Sequence, residues 1–103
     1  MPTSNRTKVE RRKMVLDKTG GRCAHCGRLA SSQSQTIDHF VARSEGGRFD
    51  LRNLMPLCRQ CNQARGSERI GDPGAYYCFA PSWVVEDLFD YERDWKSTHL
   101  SMK

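Results

Sequence analysis

Hydrophobic residues in the last third of the chain recur with the period of a helix. Val84, Leu88, Tyr91 and Trp95 are separated by four, three and four positions, which places them on one face of an α-helix. Ser82 precedes them, and serine is a favoured helix N-cap. The pattern therefore predicts a helix that starts near Ser82 and buries this face in the core.

Two short stretches predict β-strands. Residues 35–41 are rich in the β-branched and aromatic residues that favour strands, and the Gly46-Gly47 pair lies in the turn region that follows them. Residues 54–57 read Leu-Met-Pro-Leu. Because Pro56 has no N–H to donate, we expect this second strand at the edge of a sheet.

Two further helices are predicted with weaker patterns. Residues 7–17 carry a sparse apolar stripe at Val9, Val15 and Leu16, and the glycines at 20 and 21 end this helix. A shorter helix starts near Gln60 or Cys61 and runs through Arg65. Residues 72–74, Asp-Pro-Gly, predict a turn before the last helix.

Four of the five cysteines form two CxxC pairs, Cys23/Cys26 and Cys58/Cys61. The 31 residues between the pairs exceed the ~15–20 of a simple zinc finger and leave room for a β-hairpin. Four thiolates fill a tetrahedral zinc site, so zinc held there is structural and not catalytic. His25 could replace a cysteine, but the two pairs already supply four ligands. We expect Cys78 to be a buried apolar side chain.

The composition indicates a thin core that needs a stabilising group. The chain has 103 residues, 37% of them hydrophobic, and a mean hydropathy of -0.75. Structural zinc adds roughly 10–16 kcal/mol of folding free energy in zinc-finger peptides. Residues 1–13 are polar and charged, and no stretch approaches the ~20 apolar residues of a membrane span. We expect a cytoplasmic protein with no membrane segment.

Positive charge is concentrated in the first two thirds of the chain. Residues 1–22 carry a net +5, residues 23–69 a net +3 and residues 70–103 a net -3. Clustered Lys and Arg supply most sequence-independent affinity for nucleic acids. The alternative is that the basic residues of the first helix only solvate its outer face.

Between the cysteine pairs lie further polar residues in a recognisable order. The chain reads Arg22-Cys-Ala-His-Cys-Gly27, then Ile37-Asp-His-Phe-Val41, Gly46-Gly47, and Asn53-Leu-Met-Pro-Leu-Cys-Arg-Gln-Cys-Asn62. These strings, over residues 22–66, resemble the HNH or ββα-metal endonuclease family. Arg65 stands where that family usually has lysine.

The resemblance implies a fold and a division of the chain. The fold class is α+β, with a small zinc-stabilised, treble-clef-like ββα core and flanking N- and C-terminal helices. We expect a single domain over residues 1–103. It consists of a basic arm and helix at 1–21, the zinc knuckles and core at 22–69, and a helical extension at 70–103.

The resemblance also implies roles for individual residues. His39 is the candidate base that activates water, since a neutral imidazole suits that task at pH 7. Asp38 and Asn62 would hold a catalytic Mg²⁺, Mn²⁺ or other divalent cation, which prefers oxygen ligands. Asn53 would position the loop of His39, and Arg65 would bind phosphate.

Consecutive residues on a regular strand point to opposite sides, yet Asp38 and His39 must meet at one phosphate. We therefore expect both at a strand terminus or a distorted turn.

The resulting hypothesis is a metal-dependent DNA endonuclease that hydrolyses phosphodiester bonds with His-activated water at a single divalent cation. The alternative is a catalytically inactive, zinc-stabilised module that binds nucleic acid. DNA is the expected partner, and other phage or bacterial DNA-processing proteins are candidate partners. The sequence leaves open the target sequence, nicking against double-strand cleavage, DNA against RNA, and monomer against dimer.

Overall fold

The fold is given by a computed structural model that describes residues 7–29 and 35–99. Two strands and four helices follow one another, with single-turn 3-10 helices at Arg43–Glu45 and Leu51–Asn53. The elements are α1 (Lys8–Asp17), β1 (Gln35–His39), β2 (Leu54–Cys58), α2 (Arg59–Arg65), α3 (Pro73–Tyr76) and α4 (Ser82–His99). The predicted α+β class with flanking helices is confirmed. Residues 1–6 of the predicted basic arm lie outside the described residues.

Helix α1 begins with a reciprocal cap. The Thr7 side chain accepts a hydrogen bond from the Glu10 backbone N–H, and the Glu10 carboxylate accepts one from the Thr7 N–H, the arrangement of a capping box. Val15 and Leu16 are buried, but Val9 is 77% exposed. The prediction that Val9 belongs to the buried stripe is wrong, because only the C-terminal half of α1 meets the core.

The sheet has two antiparallel strands, with Gln35 opposite Cys58 and His39 opposite Leu54. Strand β2 has one strand neighbour, consistent with the edge position predicted from Pro56. Strand β1 ends at His39, two residues earlier than predicted. The next residue, Phe40, is buried. Its N–H donates to the Asn53 carbonyl at 2.8 Å.

The loop after β1 doubles back so tightly that one position requires glycine. A Cβ atom at Gly47 would lie 1.8 Å from the carbonyl oxygen of Val41. The Gly47 N–H instead donates to the Ala42 carbonyl at 2.9 Å. The second glycine of the pair is therefore explained by close backbone approach.

Helix α4 buries the apolar stripe that the sequence predicts. Val84, Leu88, Tyr91 and Trp95 are all buried. They join one cluster with residues of β2, of the first cysteine turn, and with Phe40 and Val41 just after β1. Ser82 is the first residue of the helix and not the cap that precedes it. The predicted turn at 72–74 is instead the start of α3, which the Asp72 side chain caps.

Two side chains of α4 hold the loop that follows β1. The Tyr91 hydroxyl accepts a hydrogen bond from the Arg48 backbone N–H at 2.7 Å. The Trp95 indole N–H donates to the Glu45 carbonyl at 2.9 Å. The C-terminal helix therefore sets the position of residues 45–48.

The described residues can be compared with the expectations about membrane segments and about the cysteines. In the described part of the chain, no helix has both the length and the apolar character needed to cross a membrane. The five cysteines, all within the described ranges, are free. Cys78 is exposed and not buried as expected, since its Sγ lies at the surface, 3.4 Å from the His25 carbonyl oxygen.

We expect Tyr91→Phe to lower the free energy of unfolding by about 0.5–1.5 kcal/mol, because it removes the hydroxyl that accepts the Arg48 N–H. Urea denaturation followed by circular dichroism measures this change. Tyr76→Phe is the matched control, since the Tyr76 hydroxyl bonds to no described residue. An equal loss of stability in both variants would contradict the assigned role.

Candidate active site and metal centre

The two CxxC pairs converge on one point. The Sγ atoms of Cys23, Cys26, Cys58 and Cys61 all lie within 4.8 Å of one another. The first pair sits in a turn closed by the Gly27 N–H to the Cys23 carbonyl at 2.9 Å. The second pair spans the end of β2 and the first turn of α2. These four residues therefore form a cluster able to hold a metal ion.

The cluster fits zinc by geometry and chemistry. Four thiolates about 2.3 Å from a central zinc are about 3.8 Å apart, and the Cys26 and Cys58 sulfurs are 3.9 Å apart. His25 does not compete for this place, because its Nδ1 lies 2.8 Å from the Tyr76 carbonyl oxygen and its ring stacks on Tyr76. The ligand set is therefore the four cysteines.

A separate cleft brings together three of the polar residues singled out in the sequence. Asp38, His39 and Asn62 line the same opening of about 280 Å³. It lies between the end of β1, the 3-10 turn at Arg43–Glu45 and α2. Asp38 and His39 are the last two residues of β1, as expected for side chains that must converge.

One carboxylate oxygen of Asp38 is held by two donors. Its Oδ2 accepts from the Arg65 guanidinium at 2.5 Å and from the Tyr77 hydroxyl at 2.7 Å. Burial raises the pKa of Asp38, and the two donors oppose that shift. Burial also raises the pKa of Tyr77, so the phenol keeps its proton and donates. Oδ1 accepts no hydrogen bond from the described residues.

Arg65 has different surroundings from those expected of a phosphate-binding residue. It is 7% exposed, and its five N–H donors are all used. Besides Asp38, they reach the carbonyl oxygens of His39, Phe40 and Glu68. The prediction that Arg65 presents its guanidinium to phosphate is therefore corrected: the group is buried and fully engaged within the protein.

The same guanidinium also holds the backbone at the end of β1. Arg65 donates to the carbonyl oxygens of His39 and Phe40, at 2.7 and 2.8 Å. These bonds and the bond to Asp38 tie α2 to the segment that carries the two site residues.

The amide of Asn62 is oriented by Thr36. The Thr36 hydroxyl donates its single proton to the Leu57 carbonyl at 2.8 Å, so it can only accept from Asn62. Asn62 Nδ2 makes that bond at 2.6 Å. The amide oxygen Oδ1 is consequently the atom of Asn62 with no partner among the described residues. Carboxylate and amide oxygens are the ligand types that Mg²⁺ and Mn²⁺ prefer, so Asn62 Oδ1 and Asp38 Oδ1 are the atoms that could hold a divalent cation here.

The imidazole of His39 is half-buried and lies beside Arg43. Burial and then the Arg43 charge lower the pKa of His39, and the Asp38 carboxylate opposes them. The ring is therefore neutral at pH 7, the form that accepts a proton. Phe49 packs edge to face on it, with ring centroids 5.9 Å apart.

Asn53 lies outside the cleft and is fully buried. Its Oδ1 accepts from the Val41 N–H at 2.8 Å, and its Nδ2 donates to the carbonyls of Val41 and Arg48. These bonds span both ends of the loop that follows His39. They are contacts of a positioning residue and bring no atom to the cleft.

Sequence reasoning missed Thr36 and Tyr77. Thr36 lies two residues before Asp38 on β1, and its side chain is on the opposite face of the strand from Ile37. Residues two apart on a strand share a face, so its spacing from Asp38 could have been a signal. Nothing local marked Tyr77, which is 39 positions from Asp38 and reaches it only through the packing of α3.

One family profile and two known proteins match parts of this chain. The HNH endonuclease family profile matches residues 23–68. The CRISPR-associated endonuclease Cas9 of Corynebacterium diphtheriae is 37% identical over 46 residues, which are 44% of this chain and 4% of that protein. Protein ea31 of Escherichia phage lambda is 27% identical over 81 residues, 77% of this chain and 26% of ea31. The chain thus spans a small part of either relative.

A solved structure shares the fold. The Type II-C Cas9 enzyme from Actinomyces naeslundii aligns with a TM-score of 0.54 and 24% identity, over 82% of this chain and 10% of that one. The profile match includes both cysteine pairs and all three residues of the cleft. Residues 23–68 of this chain are therefore an HNH endonuclease domain.

Proposed function

We propose that this chain is a metal-dependent DNA endonuclease in which His39 activates water and a structural zinc is held by the four cysteines. The observation that carries the proposal is the cleft shared by Asp38, His39 and Asn62. It combines a neutral imidazole with two oxygens that accept no hydrogen bond from the described residues, in an HNH endonuclease domain.

His39 takes a proton from the attacking water as the water oxygen forms a bond to phosphorus. The bond from phosphorus to the 3′ oxygen breaks, and the departing oxygen takes a proton from solvent water, which leaves a 5′-phosphate and a 3′-hydroxyl. A divalent cation held by Asp38 Oδ1 and Asn62 Oδ1 would supply positive charge to the scissile phosphate and the departing oxygen. The zinc has no open position, so it supports the start of α2 and the residue after Cys61, Asn62.

DNA as the substrate is supported by charge. Residues 1–69 carry the positive excess and residues 70–103 the negative one, and Arg43 lines the cleft beside His39. A strongly basic region favours a polyanion through counterion release. The rival function, an inactive module that binds nucleic acid, shares this charge but gives no role to the partner-free oxygens.

The decisive experiment is cleavage of supercoiled plasmid with Mg²⁺, Mn²⁺ or EDTA. His39→Ala should reduce the rate by about 10²–10⁴-fold, because it removes the general base. His99→Ala, at the end of α4 and outside residues 23–68, is the matched control.

His39→Ala should still shift DNA in a gel-retardation assay. A wild type that binds DNA but cuts it with neither ion would establish the rival function. Parallel RNA substrates test the choice of sugar.

We expect one zinc ion per chain by native mass spectrometry. Cys58→Ser should lose the ion and melt at a lower temperature, since binding of structural zinc contributes to folding. Cys78→Ser is the matched control, because Cys78 is exposed and outside the cluster. Zinc retained in full by Cys58→Ser would rule out the assigned ligand set.

Tyr77→Phe should weaken Mn²⁺ binding by about 10–100-fold, the usual cost of losing a partner of a metal ligand. The variant leaves Asp38 bonded to Arg65 but free to rotate its carboxylate. Electron paramagnetic resonance of free Mn²⁺ measures the affinity without turnover, and Tyr76→Phe serves as the control. Unchanged Mn²⁺ affinity in a folded Tyr77→Phe protein would exclude this role.

A further inference from the structure

An aromatic ring stands at the surface directly beside the proposed base. Phe49 is 53% exposed, and its ring meets the His39 ring at 5.9 Å with an interplanar angle of 62°. A single exposed apolar side chain needs no explanation by itself. The position of Phe49 beside His39 is what makes its further surroundings relevant.

The surroundings of Phe49 are cationic. The Arg11 guanidinium from α1 lies 5.3 Å from the centre of the Phe49 ring, a cation–π distance. Arg48 precedes Phe49 in the chain and is exposed, and Arg43 lies near His39 on the cleft wall. Asp50 follows Phe49, but Arg52 pairs with its carboxylate. An exposed aromatic ring with arginines around it suits a ligand that carries phosphates and flat rings.

Nucleotides combine these two features. Successive bases of a single strand stack on protein aromatics, while arginines follow the phosphates. In a continuous duplex each base is covered by its neighbours, so a base reaches Phe49 only if it is unstacked. With the scissile phosphate at His39, the base within reach belongs to a nucleotide that flanks the cut.

We propose that Phe49 stacks on an unpaired base beside the scissile phosphate, so that the preferred substrate is DNA that is single-stranded or unpaired at the cleavage position. The inference rests on the proposed function for the location of the phosphate. Arg11 contributes from α1, outside residues 23–68, so α1 and the loop after β1 build this surface together.

Binding without turnover tests the inference first. In EDTA, single-stranded oligonucleotides should bind the wild type more tightly than matched duplexes by fluorescence anisotropy. Phe49→Ala should weaken single-strand binding by about 5- to 150-fold, the range expected for one lost base stack. It should change duplex binding much less.

Three variants separate stacking from packing. Phe49→Trp keeps a stacking ring and should retain the preference for single strands. Phe49→Leu keeps an apolar contact with His39 but cannot stack, and should behave like Phe49→Ala. Phe89→Ala on α4 removes a phenylalanine of similar exposure, 50%, and should leave the preference intact. Full preference in a folded Phe49→Leu protein would overturn the proposal.

Cleavage then distinguishes this inference from the endonuclease proposal. With Mg²⁺ or Mn²⁺, a gapped or mismatched duplex should be cut faster than a continuous one, and Phe49→Ala should abolish the difference. If the wild type cuts both equally, or Phe49→Ala slows both equally, the inference fails while the endonuclease proposal stands. If nothing is cut but Phe49 still determines single-strand binding, the endonuclease proposal fails and the stacking role stands.

Discussion

The buried guanidinium of Arg65 is the interaction on which the geometry of the cleft depends. Its five N–H groups join the Asp38 carboxylate, the carbonyls of His39 and Phe40, and the carbonyl of Glu68. Removing one member of a buried ion pair leaves the other charge without compensation, at a cost of about 3–5 kcal/mol. A planar fork of fixed donors meets these acceptors in a way that a single ammonium cannot. Arg65 thus holds the backbone at the end of β1 together with one oxygen of Asp38.

Contacts from within residues 23–68 and from the C-terminal extension both support the cleft. Within the HNH domain, the cysteine cluster joins the end of β2 to the start of α2, next to Asn62. Outside it, Tyr77 donates to Asp38, and Tyr91 and Trp95 hold the loop at 45–48. A small domain with a thin apolar core depends on such contacts, since burial alone supplies little stability. The C-terminal extension therefore supplies contacts to Asp38 and to the loop at 45–48.

Hydrogen-bond polarity decides which side-chain atoms of Asn62 and Asp38 have partners among the described residues. Thr36 donates its only proton to Leu57 and so turns the amide nitrogen of Asn62 toward itself. Tyr77, kept protonated by burial, does the same for one oxygen of Asp38. His39 carries no such restraint from the described residues and is set by burial, Arg43 and Phe49. Among the described residues, no donor therefore reaches Asn62 Oδ1, Asp38 Oδ1 or the neutral ring of His39.

The sequence by itself determined the features that depend on spacing along the chain. The two CxxC pairs, the stripe on α4 and the position of Asp38-His39 at a strand end follow from local periodicity and from residue chemistry. Tertiary structure alone decided the role of Arg65, the partners Thr36 and Tyr77, the exposure of Val9 and Cys78, and the meeting of Phe49 with His39. Arg65 and Asp38 are 27 positions apart, and Tyr77 and Asp38 are 39 apart. No local pattern encodes which side chains meet across such separations, because burial, and with it the choice between solvent and protein partners, is set by the packing of whole elements.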